Sequence, residues 1–406
     1  MKKRIIAVFT GNRAEYGLQY PILKAIDEHP NLEYRLLVSG AHLEENFGNT
    51  LEEIKNDGFH IDHEIKIESS RDSKVSTPKA IGTGILSISK ALKDINPDIM
   101  VVYADRFEGF SAVIASTQMN IPTAHIEGGD LTEGGALDDS VRHAMSKLSH
   151  IHFTTNQQAS NRLLGMGEEG WRVHTVGFPA IDSINNENYA TPDEISKYLS
   201  IDINFPIILF TQHSITTEFE QSLEQLIPSI EAMRKLAKQG VQVIITYPNN
   251  DAGGQKIINK LNQIRSESIK NLQVHKSLGR YIYHGILALA KNPQLKVVCV
   301  GNSSSGIKET PAFNCPTVNI GSRQNGRLRG NNVIDTGYDE IEIFNAIIKC
   351  LDNYEFRSQC ISTTNPYYLG GAGKKMARVL SEIKLDKALI RKKMTLKGNI
   401  QNGWHK

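Results

Sequence analysis

A chain of 406 residues with 40% hydrophobic and 22% charged residues is too long for one compact core, so two domains are expected. Its net charge of +2 excludes an overall basic surface for nucleic acid, and no apolar stretch approaches a membrane span. The four cysteines (Cys299, Cys315, Cys350, Cys360) show no CxxC spacing, which favours a reduced, cytoplasmic setting over a disulfide framework.

The opening MKKRIIAVF imitates a secretory signal, but its apolar run stops at Thr10-Gly11-Asn12-Arg13, so residues 5–9 read as a first strand. A turn follows, then a helix over 20–28, a strand over 34–38, and helices around 49–57 and 81–94. The run Ile99 to Tyr103 reads as a buried parallel strand, followed by a helix over 109–119, a strand over 123–126 and a helix over 139–148. A strand over 151–155 and a helix over 157–166 complete the first half. A polar linker spans 185–192, and the alternation restarts with a strand over 207–211, a helix over 218–239 and a strand over 241–247. Strands over 297–300 and 317–320 follow, with a helix from 307 between them. This alternation predicts an α/β chain with two Rossmann-like, doubly wound parallel sheets and a cleft between them. The expected domains are 1–184 and 193–365. The helix 366–383 is expected to pack back on the first domain, and 384–406 to be a loosely held basic tail.

The richest stretch is 104–143, containing ADRFEG and HIEGGDLTEGGALDDSVRH. Asp105 and Glu127 each follow an apolar strand, which places both carboxylates on the rim where open α/β sheets bind ligands. With Asp138 and Asp139 nearby, mutual repulsion predicts that some titrate high and serve as acid or base.

In the second half, Gly301-Asn302-Ser303-Ser304-Ser305-Gly306 joins a strand to a helix, a turn whose amides suit a diphosphate. An ordinary turn with a serine cap competes with that reading. Glu309, placed on the first helical turn to accept ribose hydroxyls, favours the phosphate reading, and Arg323 ends the next strand. His213 ends the strand 207–211 and suits an acid, base or donor, with a structural strand-capping histidine as the alternative. Arg13 suits an anion and equally a solvated side chain, and its turn lacks GxGxxG. The GGAGKK at 370–375 resembles a P-loop only superficially and reads as a loop opening the last helix. His125, His143, His150 and His152 come without metal-site spacing, so no metal and no cofactor are expected.

Taken in order, GNRAEY at 11–16, DRF at 105–107, HIEGG at 125–129 and DDSVRH at 138–143 resemble the hydrolysing UDP-N-acetylglucosamine 2-epimerases of sialic and related nonulosonic acid biosynthesis. Further matches are Gln212-His213, PNNDAG at 248–253, GNSSSG at 301–306, and GSRQ at 321–324 with Gly326-Arg327. The resemblance implies a GT-B-like fold with a UDP-linked N-acetylated amino sugar between two Rossmann-type domains. It also implies elimination of UDP to a glycal, then hydration with inversion at C2. By resemblance Asp105, Glu127 and Asp138 are catalytic and His213 assists, without fixing which carboxylate takes the C2 proton. Arg106 and Asn249 or Asp251 would hold the sugar, while Arg13, Arg323, Ser303 and Ser304 would receive the diphosphate and Glu309 the ribose. The segment 130–137 is longer than in the sialic acid enzymes and looks like relatives acting on diacetylbacillosamine nucleotides. UDP-N-acetylglucosamine is therefore the expected substrate, with UDP-N,N'-diacetylbacillosamine or GDP-linked forms as alternatives and a GT-B glycosyltransferase as the competing class. A homo-oligomer, dimer or tetramer, is expected, with no nucleic-acid or membrane partner.

Overall fold

The computed structural model describes residues 3–11, 13–43, 50–67, 75–132, 137–249 and 253–395. The chain forms two units. One comprises Met1–Asp130, Asp138–Asp182 and Tyr367–Lys406, and the other Leu131–Leu137 and Ser183–Pro366.

The first unit holds seven parallel strands: β1 (Arg4–Thr10), β2 (Leu32–Ser39), β3 (His63–Ile65), β4 (Ile99–Tyr103), β5 (Thr123–Ile126), β6 (Ile151–Thr154) and β7 (Val173–Thr175). Their order is β3-β2-β1-β4-β5-β6-β7. The central β4, Ile-Met-Val-Val-Tyr, is buried throughout, as a parallel strand covered on both faces must be. Ile99, Val101 and Tyr103 join one apolar cluster with the helices Arg13–Asp27 and Ala372–Glu382. Met100 and Val102 join the other, with the helices Ser76–Ile95 and Phe107–Gln118. In register, Tyr103 pairs with Ile126, so the residues after β4 and β5 leave the sheet at one level.

The second unit repeats the plan with β8 (Ile207–Thr211), β9 (Gln242–Thr246), β10 (Leu272–His275), β11 (Val297–Gly301), β12 (Thr317–Ile320) and β13 (Val333–Thr336). Their order is β10-β9-β8-β11-β12-β13. In each sheet the direction of strand addition reverses once, between β1 and β4 and between β8 and β11. Doubly wound sheets bind ligands outside the carboxyl ends of the strands at that reversal.

Three expectations change. The helix foreseen over 20–28 begins at Arg13, where the Glu15 carboxylate accepts the Gly11 amide at 2.8 Å. The supposed linker is partly helical, with Ala180–Asn185 before it and Pro192–Leu199 closed by a Thr191–Glu194 capping box. The tail is not loosely held as far as residue 395. Asp386 caps the short helix Lys387–Ile390, Leu389 is fully buried, and Arg172 donates to the carbonyls of Leu389 at 2.7 Å and Ala388 at 2.6 Å. The Lys392 ammonium reaches the carbonyls of Ser146, Lys147 and Ser149 at 3.1, 2.8 and 2.6 Å, and the Glu168 carboxylate at 2.7 Å. Its charge closes the carboxyl end of the helix Leu137–Leu148 instead of facing water. Among the described residues, no helix is long and apolar enough to cross a membrane.

Candidate active site

In the first unit, Asp105 follows the carboxyl end of β4 and Glu127 that of β5. Both strand ends are bent into the left-handed region, Ala104 at φ +55° and Glu127 at φ +69°. Non-glycine residues there cost on the order of 1–3 kcal/mol each and gather where geometry serves function. Glu127 is buried, and its amide donates to the Phe153 carbonyl at 2.8 Å. Asp138 and Asp139 lie on the first turn of the helix Leu137–Leu148, where a carboxylate faces the positive helix end. Asp138 is half-buried and Asp139 buried.

The guanidinium of Arg142 on that helix is fully buried, hydrogen-bonded to Asp105 and 3.4 Å from Asp139. The expectation of carboxylates governed by mutual repulsion is corrected here, because a cation is built in among them. Arg106 immediately precedes the helix Phe107–Gln118 and stands 3.7 Å from Glu108, a carboxylate at 1% exposure. His125 is buried between the Ala104 carbonyl and the Ser146 hydroxyl, and desolvation lowers its pKa to about 3. His143 is also lowered, by burial and then by Arg142 and Arg162.

In the second unit, His213 and the turn at 301–306 meet at the reversal between β8 and β11, where Thr211 pairs with Gly301. Gly301 has φ +126°, and a Cβ there would fall 1.9 Å from the Thr211 carbonyl oxygen, so only glycine lets the turn approach. Asn302 joins the two turns: its side-chain Oδ1 accepts the His213 amide at 2.6 Å and its side-chain NH2 donates to the His213 backbone carbonyl at 2.9 Å. His213 Nδ1 accepts the Asn249 amide at 2.9 Å, so a neutral imidazole carries its proton on Nε2 and can donate from there. Arg323 and Gln324 both donate to the Asn302 carbonyl, at 3.2 and 2.8 Å. Arg327 donates to the carbonyl of Leu131 and, at 2.8 Å, to the hydroxyl of Thr132.

Ser303 and Ser304 are half-buried in the turn, but the helix that follows is only Ser305–Lys308, so little helix dipole stands behind the turn. Glu309 ends that helix, rather than lying on its first turn. Its buried carboxylate accepts from His284 Nε2 at 2.8 Å and from the Ser305 hydroxyl at 3.1 Å. The structure thus brings Asp105 and Glu127 to one sheet edge in the first unit, and His213, Asn249, Ser303, Ser304, Glu309 and Arg323 to one edge in the second. Asp251 and residues 133–136 lie outside the described residues, and so does the side chain of Arg13.

Residues 24–381 match the family model for UDP-N-acetylglucosamine 2-epimerase. The chain belongs to this family. It is 33% identical over 394 residues, 97% of its length and 99% of its relative's, to the hydrolysing UDP-N,N'-diacetylbacillosamine 2-epimerase of Legionella pneumophila. It is also 33% identical over 348 residues, 85% of its length and 86% of its relative's, to the UDP-N-acetylglucosamine 2-epimerase of Neisseria meningitidis serogroup B. The fold matches the crystal structure of UDP-GlcNAc 2-epimerase from Neisseria meningitidis bound to UDP-GlcNAc. The TM-score is 0.77 at 20% identity, covering 93% of this chain and 99% of that one. The chain is therefore an enzyme of the UDP-sugar 2-epimerase family with a GT-B-like pair of Rossmann-type sheets.

Three residues at these edges were not singled out from the sequence. Arg142 has one signal, its i+3 spacing from Asp139 on a helix. Glu108 lies on the first turn after Arg106 and reads as a solvated charge. His284, in the middle of the helix Gly279–Ala288, has no sequence signal.

Proposed function

We propose that the chain is a hydrolysing 2-epimerase that converts UDP-N-acetylglucosamine to N-acetylmannosamine and UDP. The observation that carries this reading is the pair of strained ends of the adjacent strands β4 and β5, which bear Asp105 at the reversal of the first sheet and Glu127 next to it, with the buried Arg142 paired to Asp105. In this reading a carboxylate of the first unit takes the C2 proton while the C1–O bond to UDP breaks, leaving a C1=C2 glycal. Water then adds, hydroxyl to C1 and a proton to C2 from the opposite face, which inverts C2. Such proton transfers need positioned acids and bases within hydrogen-bond reach. The departing diphosphate is met by Arg323, the Nε2–H of His213 and the turn at Ser303-Ser304, donors that stabilise developing negative charge. Glu309, oriented by His284 and Ser305, receives the ribose hydroxyls.

UDP-N,N'-diacetylbacillosamine is the alternative substrate for the same reaction, and the near full-length alignment to the Legionella enzyme supports it. One experiment tests both readings. The purified protein is incubated with each nucleotide sugar in D2O and the products are followed by NMR. Free 2-epimer with deuterium at C2, plus UDP, is expected. A UDP-linked epimer, or retention of the original C2 hydrogen, would defeat the proposal.

A further inference from the structure

The imidazole of His125 is completely buried yet both its nitrogens are engaged, one by the strained turn that delivers Asp105 and the other by the helix Leu137–Leu148. Nε2 lies 2.6 Å from the Ala104 carbonyl oxygen, which can only accept, so Nε2 carries a proton. Nδ1 lies 3.0 Å from the Ser146 hydroxyl. Burial, with His152, His143 and Lys392 as its chargeable neighbours, keeps the ring uncharged at neutral pH. Nδ1 is then an acceptor, and Ser146 donates.

The consequence falls on Ala104. Its amide donates to the Ile126 carbonyl at 3.0 Å and its carbonyl accepts from His125, so two consecutive residues of β5 take both its backbone groups. A left-handed alanine is unfavourable by itself and persists where its surroundings over-determine it. The next residue is Asp105, held by Arg142. Arg142 lies one helical turn before Ser146, whose hydroxyl returns to His125. Ring, carbonyl, carboxylate, guanidinium and hydroxyl thus close a circuit through β4, β5 and the helix Leu137–Leu148. Gly128 leaves room for it: a Cβ there would sit 2.8 Å from the Ser146 oxygen and 3.0 Å from His125 Nδ1.

We propose that His125 is a positioning residue that, protonated on Nε2 and fixed in that tautomer by Ser146, holds the Ala104 carbonyl and thereby sets where the Asp105 carboxylate stands. The inference rests on the reading above, in which Asp105 works on the sugar. Glutamine can place an NH2 where Nε2 lies, whereas alanine cannot.

The test compares His125→Ala, His125→Gln, Ser146→Ala and Asp105→Asn by UDP release, UDP affinity and the 15N spectrum of the histidines. His125→Ala is expected to lower kcat about 100-fold, the scale of a misplacement near 1 Å, with UDP affinity unmoved. His125→Gln should recover most of that loss. Ser146→Ala, which keeps the ring and guards against a misfolded His125 variant, should lower kcat less and release the Nε2–H tautomer. Wild-type kcat in His125→Ala, or an Nδ1–H ring in the wild type, overturns the proposal. Loss in Asp105→Asn without loss in His125→Ala overturns it alone. Full activity in Asp105→Asn instead brings down the functional reading, and the tautomer spectrum still decides what His125 holds.

Discussion

Acidification should weaken the first unit before its carboxylates protonate. His125 is held at about 3, and His150 and His152 at about 4, each chiefly by burial. All three are depressed below the ordinary histidine value of 6.5. The unfolded chain therefore binds protons that the folded chain refuses, and stability is complete above pH 6.5 and falls as pH drops toward 4. At pH 5 the unfolded value lies 1.5 units above ambient, which at 1.36 kcal/mol per unit is about 2 kcal/mol for each ring. The three rings together remove roughly 6 kcal/mol, a large share of the ~5–15 kcal/mol that holds a typical domain. Glu168 adds a lower step. Although burial raises its pKa, hydrogen bonds and charge from His152, Lys147 and Lys392 prevail and hold it at about 2. Its contribution is present above the ordinary carboxylate value of 4.5 and lost as pH falls toward 2. Urea unfolding followed by circular dichroism at pH 7, 6 and 5 measures the first step. His150→Gln should flatten the slope by one proton. Equal midpoints at pH 7 and pH 5 would refute the reasoning, since three neutral buried rings cannot leave stability independent of pH in that window.

Arg142→Leu leaves Asp105 and Asp139 without their buried cation and should cost about 3–5 kcal/mol in urea unfolding, more than Arg142→Lys. Glu309→Gln removes the negative charge that the proposed function assigns to the ribose hydroxyls and loosens His284. Calorimetry should show UDP binding weakened about five- to 150-fold, corresponding to ~1–3 kcal/mol. Ending the chain at Ile383 strips Leu389 from the core and two carbonyls from Arg172. A loss of about 3 kcal/mol in stability is expected from apolar burial and charged hydrogen bonds together, and an unchanged unfolding midpoint would contradict this packing of the tail.

The strands read from sequence and those missed divide on one physical line. All nine that pair on both sides, among them Ile-Met-Val-Val-Tyr in β4 and Val-Val-Cys-Val in β11, are legible because burial on both faces dictates their composition. The four missed strands, β3, β7, β10 and β13, are the edges of the two sheets. Each has only three or four residues, and His63-Glu64-Ile65 offers a single buried apolar side chain. An edge strand with a solvated side has no pattern to impose. The same logic governs the helix Arg13–Asp27, where Gly17 and Pro21 hide its period. At the sites, strand-end position located Asp105, Glu127 and His213. It could not locate His284, which lies 25 positions from Glu309 and meets it only through the fold. The tail misled for a related reason. Lys392 and Arg172 look solvated in one dimension, and only the structure shows them spent on backbone carbonyls.

The electrostatic design of the helix Leu137–Leu148 explains why charge counting along the sequence misjudged this region. Asp138 and Asp139 stand at its amino end, and Lys392 from the distant tail closes its carboxyl end, so both termini are met by the sign that their partial charges favour. Between them the buried face carries Arg142 and Ser146, which reach Asp105 and His125. One helix therefore fixes the outlet of β4 from two directions, by an ion pair on the carboxylate and, through His125, by a hydrogen bond on the preceding peptide. Two strained backbone residues, Ala104 and Glu127, are sustained within that frame, at a cost of about 1–3 kcal/mol each that the surrounding buried contacts must offset. A solvated acidic helix could supply the same carboxylates without that cost. It could not hold them still.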